Sequence, residues 1–158
     1  MTAWTFEPTA RGGGKIRKQR IADQMALLAR APLFEGLAKT HLRKIADASA
    51  SKTALAGDEL MKEGQAGPTF FVIIDGKAKV TKGGRTVARF GPGDFFGEMA
   101  ILTSSPRSAS VAAETDMLLL VLSAANLRKV LKEEPPIALR MLDELAHRLV
   151  DQDKRYTA

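Results

Sequence analysis

The segment 95–111 contains the side chains whose types and spacing could do chemistry. One carboxylate, Glu98, and one guanidinium, Arg107, lie nine residues apart in a stretch that is otherwise made of small and apolar residues. A charge in such surroundings is costly unless it is paired or meets a ligand. Arginine offers a planar fork of donors that suits phosphate oxygens, and a carboxylate accepts hydrogen bonds from hydroxyls such as those of a ribose.

The glycine in this segment adds to the pattern. Gly97 allows a ligand to approach the backbone closely, and a short helix that begins near Glu98 would point free N–H groups at an anion. The combination predicts a pocket for a sugar phosphate. Three simpler interpretations stay open: an Arg–Glu pair that bridges two strands, a surface arginine in a Ser/Pro loop, and an acid that the dipole of a helix stabilises at its N-terminus.

The elements around this segment are predicted to be short strands. Glycine and proline recur at short intervals from Gly57 to Gly97, and Asp75-Gly76 and Gly83-Gly84 are predicted hairpin turns because these residues tolerate positive φ. Many short strands with glycine-rich turns are typical of an antiparallel sandwich or jelly roll. The fold class is therefore mainly β with flanking helices, an antiparallel β jelly roll. The strand-like runs are 70–74, 78–81, 86–90, 109–113 and 117–122.

Helices are predicted on both sides of this β region. One begins near Ile21 and breaks at 31–34, and a second short helix follows it. Ser123 is a predicted N-cap, and Pro135-Pro136 ends that helix and starts the last one. We expect the apolar stripe of the last helix to pack in the core. The apolar positions are Ile21, Met25 and Leu28, then Leu37, Leu42, Ile45 and Ala46, and finally Leu139, Leu142, Leu145, Ala146 and Leu149.

Length and charge indicate one domain with a basic N-terminal leader. The 158 residues suffice for one domain with a sizeable core but not for two ordinary ones. Residues 1–20 carry five basic side chains against one acidic, whereas the other 138 residues carry 19 basic and 17 acidic ones. We therefore expect a flexible basic leader at 1–18, which could attract nucleic acid, anionic lipid or an acidic partner, and a folded domain at 19–158.

The composition argues against several classes of function. The chain has no cysteine, which removes thiolate nucleophiles and cysteine-bound metals and suits a cytoplasmic protein. Its apolar runs are too short to span a bilayer, and no helix-turn-helix is expected after the last helix. His41 and His147 lie on predicted helix surfaces far from 95–111, without a matched acid pair, so we expect no enzyme activity, no metal and no cofactor.

Two runs of the segment resemble a known phosphate-binding motif. Phe96-Gly97-Glu98-Met99-Ala100 and Pro106-Arg107-Ser108-Ala109 are similar to the phosphate-binding cassette of the cyclic nucleotide-binding domain family. That family includes bacterial catabolite activators, regulatory subunits of cAMP-dependent protein kinase and cyclic nucleotide-gated channels. Residues 33–37, 71–78 and 91–96 resemble its helical lead-in, its central hairpin and the approach to the cassette. The resemblance covers roughly residues 25–155.

The resemblance implies roles for the residues of this cassette (residues 96–109). Arg107 would pair with the equatorial oxygen of a cyclic phosphate, Glu98 would accept the ribose 2′-hydroxyl, and Gly97 would let the ribose come close. Ser108 would add a hydroxyl contact to phosphate or base. The backbone N–H groups that would hold the other phosphate oxygens lie near Met99, Ala100 and Ala109. The full set of expected binding residues is Val87, Ala88, Phe96, Gly97, Glu98, Met99, Ala100, Pro106, Arg107, Ser108, Ala109 and Arg148.

The base contacts are expected outside the cassette. Val87 and Ala88 would sit beside the purine. The last helix of the family covers the base, which makes several of its side chains candidates for that contact: Arg148, Gln152, Asp153 and Tyr156.

The expected function is a stand-alone regulatory protein that binds a cyclic nucleotide, changes conformation and acts through a partner. cAMP is the expected ligand because the architecture resembles that of the bacterial activators. Ser108 does not decide between cAMP and cGMP, since a hydroxyl residue after the arginine favours cGMP in eukaryotic kinases but accompanies cAMP in bacterial activators. The alternative is an interaction module of the same fold that binds cGMP, a cyclic dinucleotide or no ligand. The expected partners are an unknown effector protein and a second copy of the chain, through the last helix.

Overall fold

The computed structural model describes the backbone of residues 14–157 and the side chains of residues 18–152. Helix α1 spans Gly14–Leu28, a 3₁₀ turn spans Pro32–Phe34, and helix α2 spans Lys39–Ala48. Helix α1 includes residues 14–18, which were expected to belong to the leader at 1–18; lysine and arginine at these positions favour helix. The rest of the expected leader lies outside the described residues.

Among residues 14–157, eight strands form two four-stranded antiparallel sheets, which confirms the predicted jelly-roll class. The first sheet has the order β1-β8-β3-β6 and the second the order β2-β7-β4-β5. The bounds are β1 Ala50–Ala54, β2 Glu59–Met61, β3 Thr69–Asp75, β4 Ala78–Lys82, β5 Arg85–Phe90, β6 Phe95–Phe96, β7 Ser110–Ala113 and β8 Met117–Ser123.

Strands β3 and β8 are the centre of the fold because they are buried on both faces. Phe71 pairs with Val121 in the register between them, and the alternating side chains enter two different cores. Phe70 and Val72 face the helices, whereas Phe71 faces the second sheet. A strand buried on both sides needs an unbroken apolar run, and both strands have one.

The predicted turns and caps are present. Gly76 turns β3 into β4 with φ of 95°, and Gly83 and Gly84 turn β4 into β5 with φ of 57° and 76°. The side chain of Ser123 accepts the backbone N–H of Asn126 at the start of helix α4, Ala124–Glu133. Helix α5, Pro135–Thr157, begins at the predicted proline pair.

The prediction that the apolar stripe of α5 packs in the core is wrong for most of its residues. Leu139, Leu142 and Leu149 are 66%, 62% and 59% exposed, so they do not pack in the core. Ile137 and Met141 are buried instead, and Leu145 packs partly against the same cluster. The helix carries two apolar faces, and the residues spaced by four pack against the domain. Within the described part of the chain, no helix is long and apolar enough to cross a membrane.

Candidate functional site

The cassette begins where strand β6 turns sharply into a short helix. Gly97 has a φ of 91°, and helix α3, Glu98–Thr103, follows it directly. A Cβ at Gly97 would lie 2.6 Å from the carbonyl oxygen of Thr69 and 3.0 Å from Nη1 of Arg107. Glycine is therefore required here both by conformation and by space.

Arg107 is held in the interior by backbone carbonyls. It is only 6% exposed, and its Nη1 and Nη2 donate to the carbonyl oxygens of Gly97 and Thr69, each at 2.7 Å. Burial lowers the pKa of Arg107 and the neighbouring Glu98 raises it. The two bonds use two of the five N–H donors of the guanidinium, so a fixed positive group remains with donors for an anion.

Glu98 is a buried carboxylate with an unsatisfied oxygen. It is 3% exposed, and its Oε2 has no hydrogen-bond partner. Burial raises the pKa of Glu98 above its usual range, while its own backbone N–H, Arg148 and Arg107 lower the pKa by smaller amounts. A buried polar atom without a partner is uncommon and costly, and a ligand hydroxyl that donates to Oε2 would remove this cost.

Arg148 brings helix α5 into the site. Its Nη1 lies 3.6 Å from Oε1 of Glu98, and its Nη2 donates to the carbonyl oxygen of Phe95 at 2.7 Å. The guanidinium carbon stands 4.5 Å and 4.6 Å from the ring centres of Phe90 and Phe95, within the range of cation–π attraction. One side chain thus joins the C-terminal helix, the end of β5 and the cassette.

The structure brings some of the predicted residues together and leaves others outward. Arg107, Glu98 and Arg148 converge at the N-terminus of α3. Val87 and Ala88 lie on β5 and, with Thr86 and Arg89, line an open hollow of about 420 Å³. The other buried members of the set are Phe96, Gly97, Ala100 and Ala109, and the exposed members are Met99, Pro106 and Ser108.

The candidates for base contact on α5 divide in the same way. Arg148 lies against Glu98 and the two phenylalanine rings rather than alone on the helix surface. Gln152 is exposed. The side chains of Asp153 and Tyr156 lie outside the described residues.

Sequence reasoning missed three contributors to the site. A Cβ at Gly67 would lie 2.2 Å from Nε of Arg107, so this glycine makes room for the guanidinium. Thr69 contributes only its carbonyl, which no side-chain pattern signals. Phe90 stacks on Phe96 with ring centres 6.2 Å apart, and the Gly-Pro pairs near 67 and 91 were the only local signals for these approaches.

Comparisons with known proteins find similar sequences and similar folds. The sequence profile described as "Cyclic nucleotide-binding domain" matches residues 51–134. A cyclic nucleotide-gated potassium channel of Rhizobium etli is 34% identical over 124 residues, which is 78% of this chain and 35% of the channel.

Two solved structures resemble the fold at moderate identity. A structure of Sp-2Cl-cAMPS bound to PKAR CBD2 superposes with a TM-score of 0.74 at 26% identity, covering 87% of this chain and 94% of that chain. The catabolite activator protein of Thermus thermophilus gives a TM-score of 0.71 at 30% identity, covering 80% of this chain and 62% of that one. The chain spans about a third of the length of the channel relatives that it matches.

Proposed function

Because the chain belongs to the cyclic nucleotide-binding domain family, we propose that it is a regulatory module that binds cAMP at the cassette and passes the binding event to a partner. The observation that carries the proposal is the pair of buried charges at one end of α3. Arg107 is fixed by two carbonyls, and Glu98 keeps one oxygen without a partner. A cyclised sugar phosphate supplies both an anion for the first group and a hydroxyl for the second.

The proposed contacts combine this arrangement with the roles that the family resemblance implies. Arg107 pairs with the equatorial phosphate oxygen, and Oε2 of Glu98 accepts the ribose 2′-hydroxyl. The N–H groups near Met99, Ala100 and Ala109 face the other phosphate oxygens, and Ser108 adds a hydroxyl. The purine lies in the hollow beside Val87 and Ala88 on β5.

cAMP is the proposed ligand because several similar proteins are regulatory subunits of cAMP-dependent protein kinase. A regulatory subunit of cAMP-dependent protein kinase from Yarrowia lipolytica is 34% identical over 72% of this chain. The alternative is a module that binds cGMP, a cyclic dinucleotide or no ligand at all. The cGMP alternative is supported by a cGMP-dependent protein kinase of Toxoplasma gondii, which is also 34% identical, over 70% of this chain.

The proposed output runs through α5. Arg148 contacts Glu98 from that helix, so a ribose hydroxyl that binds Glu98 changes the surroundings of Arg148. A ligand shifts a conformational equilibrium when it interacts differently with the two states, and this contact provides such a difference. We therefore propose that binding alters how α5 packs on the cassette.

The proposed partners include a second copy of the chain. Leu139, Leu142, Ala146 and Leu149 are exposed on one face of α5 at alternating spacings of three and four residues. This is the spacing of a coiled-coil seam, so a homodimer through α5 would bury the stripe. An effector protein is the other proposed partner. We place the protein in the cytoplasm and assign it no catalytic step.

Thermal denaturation of the purified protein with a panel of nucleotides tests the proposal. A ligand that binds only the folded state raises the melting temperature in proportion to the logarithm of its concentration over Kd. We expect the largest rise with cAMP, a smaller one with cGMP, and none with noncyclic AMP. An equal or absent response to all of them would favour the alternative.

A further inference from the structure

Helix α3 is too short to be stable without help. It has six residues, and a helix of this length pays the cost of nucleation for very few hydrogen bonds. Its end is strained as well, because Ser104 has a φ of 53° and is the only non-glycine residue with positive φ among residues 14–157. Contacts from other elements must therefore hold the helix in its observed form.

The C-terminal carbonyls of α3 receive their donors from two sources. The backbone N–H groups of Ser104 and Ser105 both donate to the carbonyl of Ala100, and the hydroxyl of Thr103 donates to that of Met99. These donors belong to the cassette itself and are lost together if the helix frays. The carbonyl of Ile101 instead accepts a hydrogen bond of 2.6 Å from Nη2 of Arg128, which lies on α4.

Helix α4, which carries Arg128, is packed against the rest of the domain. On α4, Leu127 and Val130 are 2% and 7% exposed, and Asn126 donates its side-chain amide to the carbonyl of Ala48. Nη2 of Arg128 also lies 3.5 Å from the hydroxyl of Ser104, the strained residue that ends α3. A cation at the C-terminus of a helix is favoured by the helix dipole, which adds to the hydrogen bond.

We propose that Arg128 is a positioning residue for the nucleotide. By holding the C-terminal end of α3 against α4, it keeps the helix formed before a ligand arrives. The helix then presents Glu98 and its first N–H groups without a cost of ordering. When only a fraction of the molecules is competent to bind, the apparent Kd rises in inverse proportion to that fraction. The inference rests on the proposed function for its ligand, but the hold on α3 exists in the free protein.

The test combines three variants of the full chain. Arg128→Met keeps the side-chain stem and removes the donors, Arg128→Lys keeps one charged donor group, and Lys129→Gln changes the next exposed cation on the same helix as a control. Amide hydrogen exchange of the ligand-free proteins reports the opening of residues 98–104. Calorimetric titration with cAMP reports the affinity.

We expect Arg128→Met to weaken cAMP binding about three- to tenfold, the range for the loss of one net hydrogen bond. Exchange at residues 98–104 should accelerate by a similar factor, while exchange in β3 and β8 stays as in the wild type. Arg128→Lys should recover most of the affinity, and Lys129→Gln should match the wild type.

Two results would overturn the inference: unchanged exchange at residues 98–104 in Arg128→Met, or an equal loss of affinity in Lys129→Gln. If the wild type binds no cyclic nucleotide, the proposed function fails, and the exchange comparison alone still decides whether Arg128 holds α3.

Discussion

At the scale of single residues, the site is defined by the cost of burying two charges. Arg107 and Glu98 are 6% and 3% exposed in a domain of this size, where burial of an unpaired charge is strongly unfavourable. Arg107 donates hydrogen bonds to two carbonyl oxygens, which satisfies some of its donors, whereas Oε2 of Glu98 has no hydrogen-bond partner. The ligand-free protein therefore holds a carboxylate whose best partner is a donor from outside the chain.

The raised pKa of Glu98 predicts a pH dependence of binding. A 2′-hydroxyl donates to the ionised carboxylate, so the affinity for cAMP should fall as the pH drops through the raised pKa of Glu98. Titrations at neutral pH and at a series of progressively more acidic pH values measure this dependence. Glu98→Gln should bind weakly and show a flat profile, and the exposed acid Glu133→Gln should behave as the wild type. The same pH profile in Glu98→Gln would contradict this role.

The same shift has a consequence for stability. A carboxyl group whose pKa is higher in the folded than in the unfolded protein lowers the free energy of unfolding wherever it is ionised. This penalty is present at neutral pH, shrinks as the pH falls through the folded pKa, and disappears below the unfolded value of about 4.3. The ligand-free Glu98→Gln protein should therefore melt at a higher temperature than the wild type at pH 7, and the difference should vanish in acid.

At the scale of elements, the side chain of Arg148 ties α5 to the cassette. Arg148→Met removes a charge that lowers the pKa of Glu98, so the pH at which binding weakens should move upward. It also removes the donor to the Phe95 carbonyl and the contacts with two rings, so amide exchange at residues 145–152 should accelerate. The neighbouring exposed variant His147→Asn is the control. If Arg148→Met leaves both the pH profile and the exchange unchanged, α5 is not coupled to Glu98.

The elements that could be predicted from the sequence were those with strong local signals. Unbroken apolar runs revealed β3 and β8, and Asp75-Gly76 and Gly83-Gly84 located the β3–β4 and β4–β5 hairpins. Strand β1 has the mixed sequence Ala-Ser-Lys-Thr-Ala, and β2 and β6 have three and two residues, so pairing partners rather than periodicity define them.

The part of the site formed by residues close together in the sequence was predictable. The spacing of Glu98 and Arg107 indicated a sugar-phosphate pocket, but the approach of Arg148 joins residues 50 positions apart and depends on the packing of a helix. The choice between the two apolar faces of α5 has the same origin. Both faces have helical periodicity, and only the shape of the core selects Ile137 and Met141 over Leu139 and Leu142.

At the scale of the whole molecule, the exposed stripe on α5 predicts self-association. The double variant Leu142→Glu, Leu149→Glu places charges on the seam and should shift a dimer to the monomer in analytical ultracentrifugation. Leu55→Glu is the matched control, because Leu55 is 67% exposed and lies between β1 and β2, outside the stripe. A wild-type protein that sediments as a monomer at every concentration tested would remove the homodimer.

The central claim is that a buried guanidinium in this domain binds the phosphate of a cyclic nucleotide. Calorimetric titration with cAMP of the wild type, Arg107→Leu and the exposed control Arg43→Leu tests it most directly. The account predicts saturable binding of one cAMP per chain, weakened by about 2–5 kcal/mol in Arg107→Leu and unchanged in Arg43→Leu. Binding of equal strength in the wild type and Arg107→Leu, or no binding to the wild type, would contradict it.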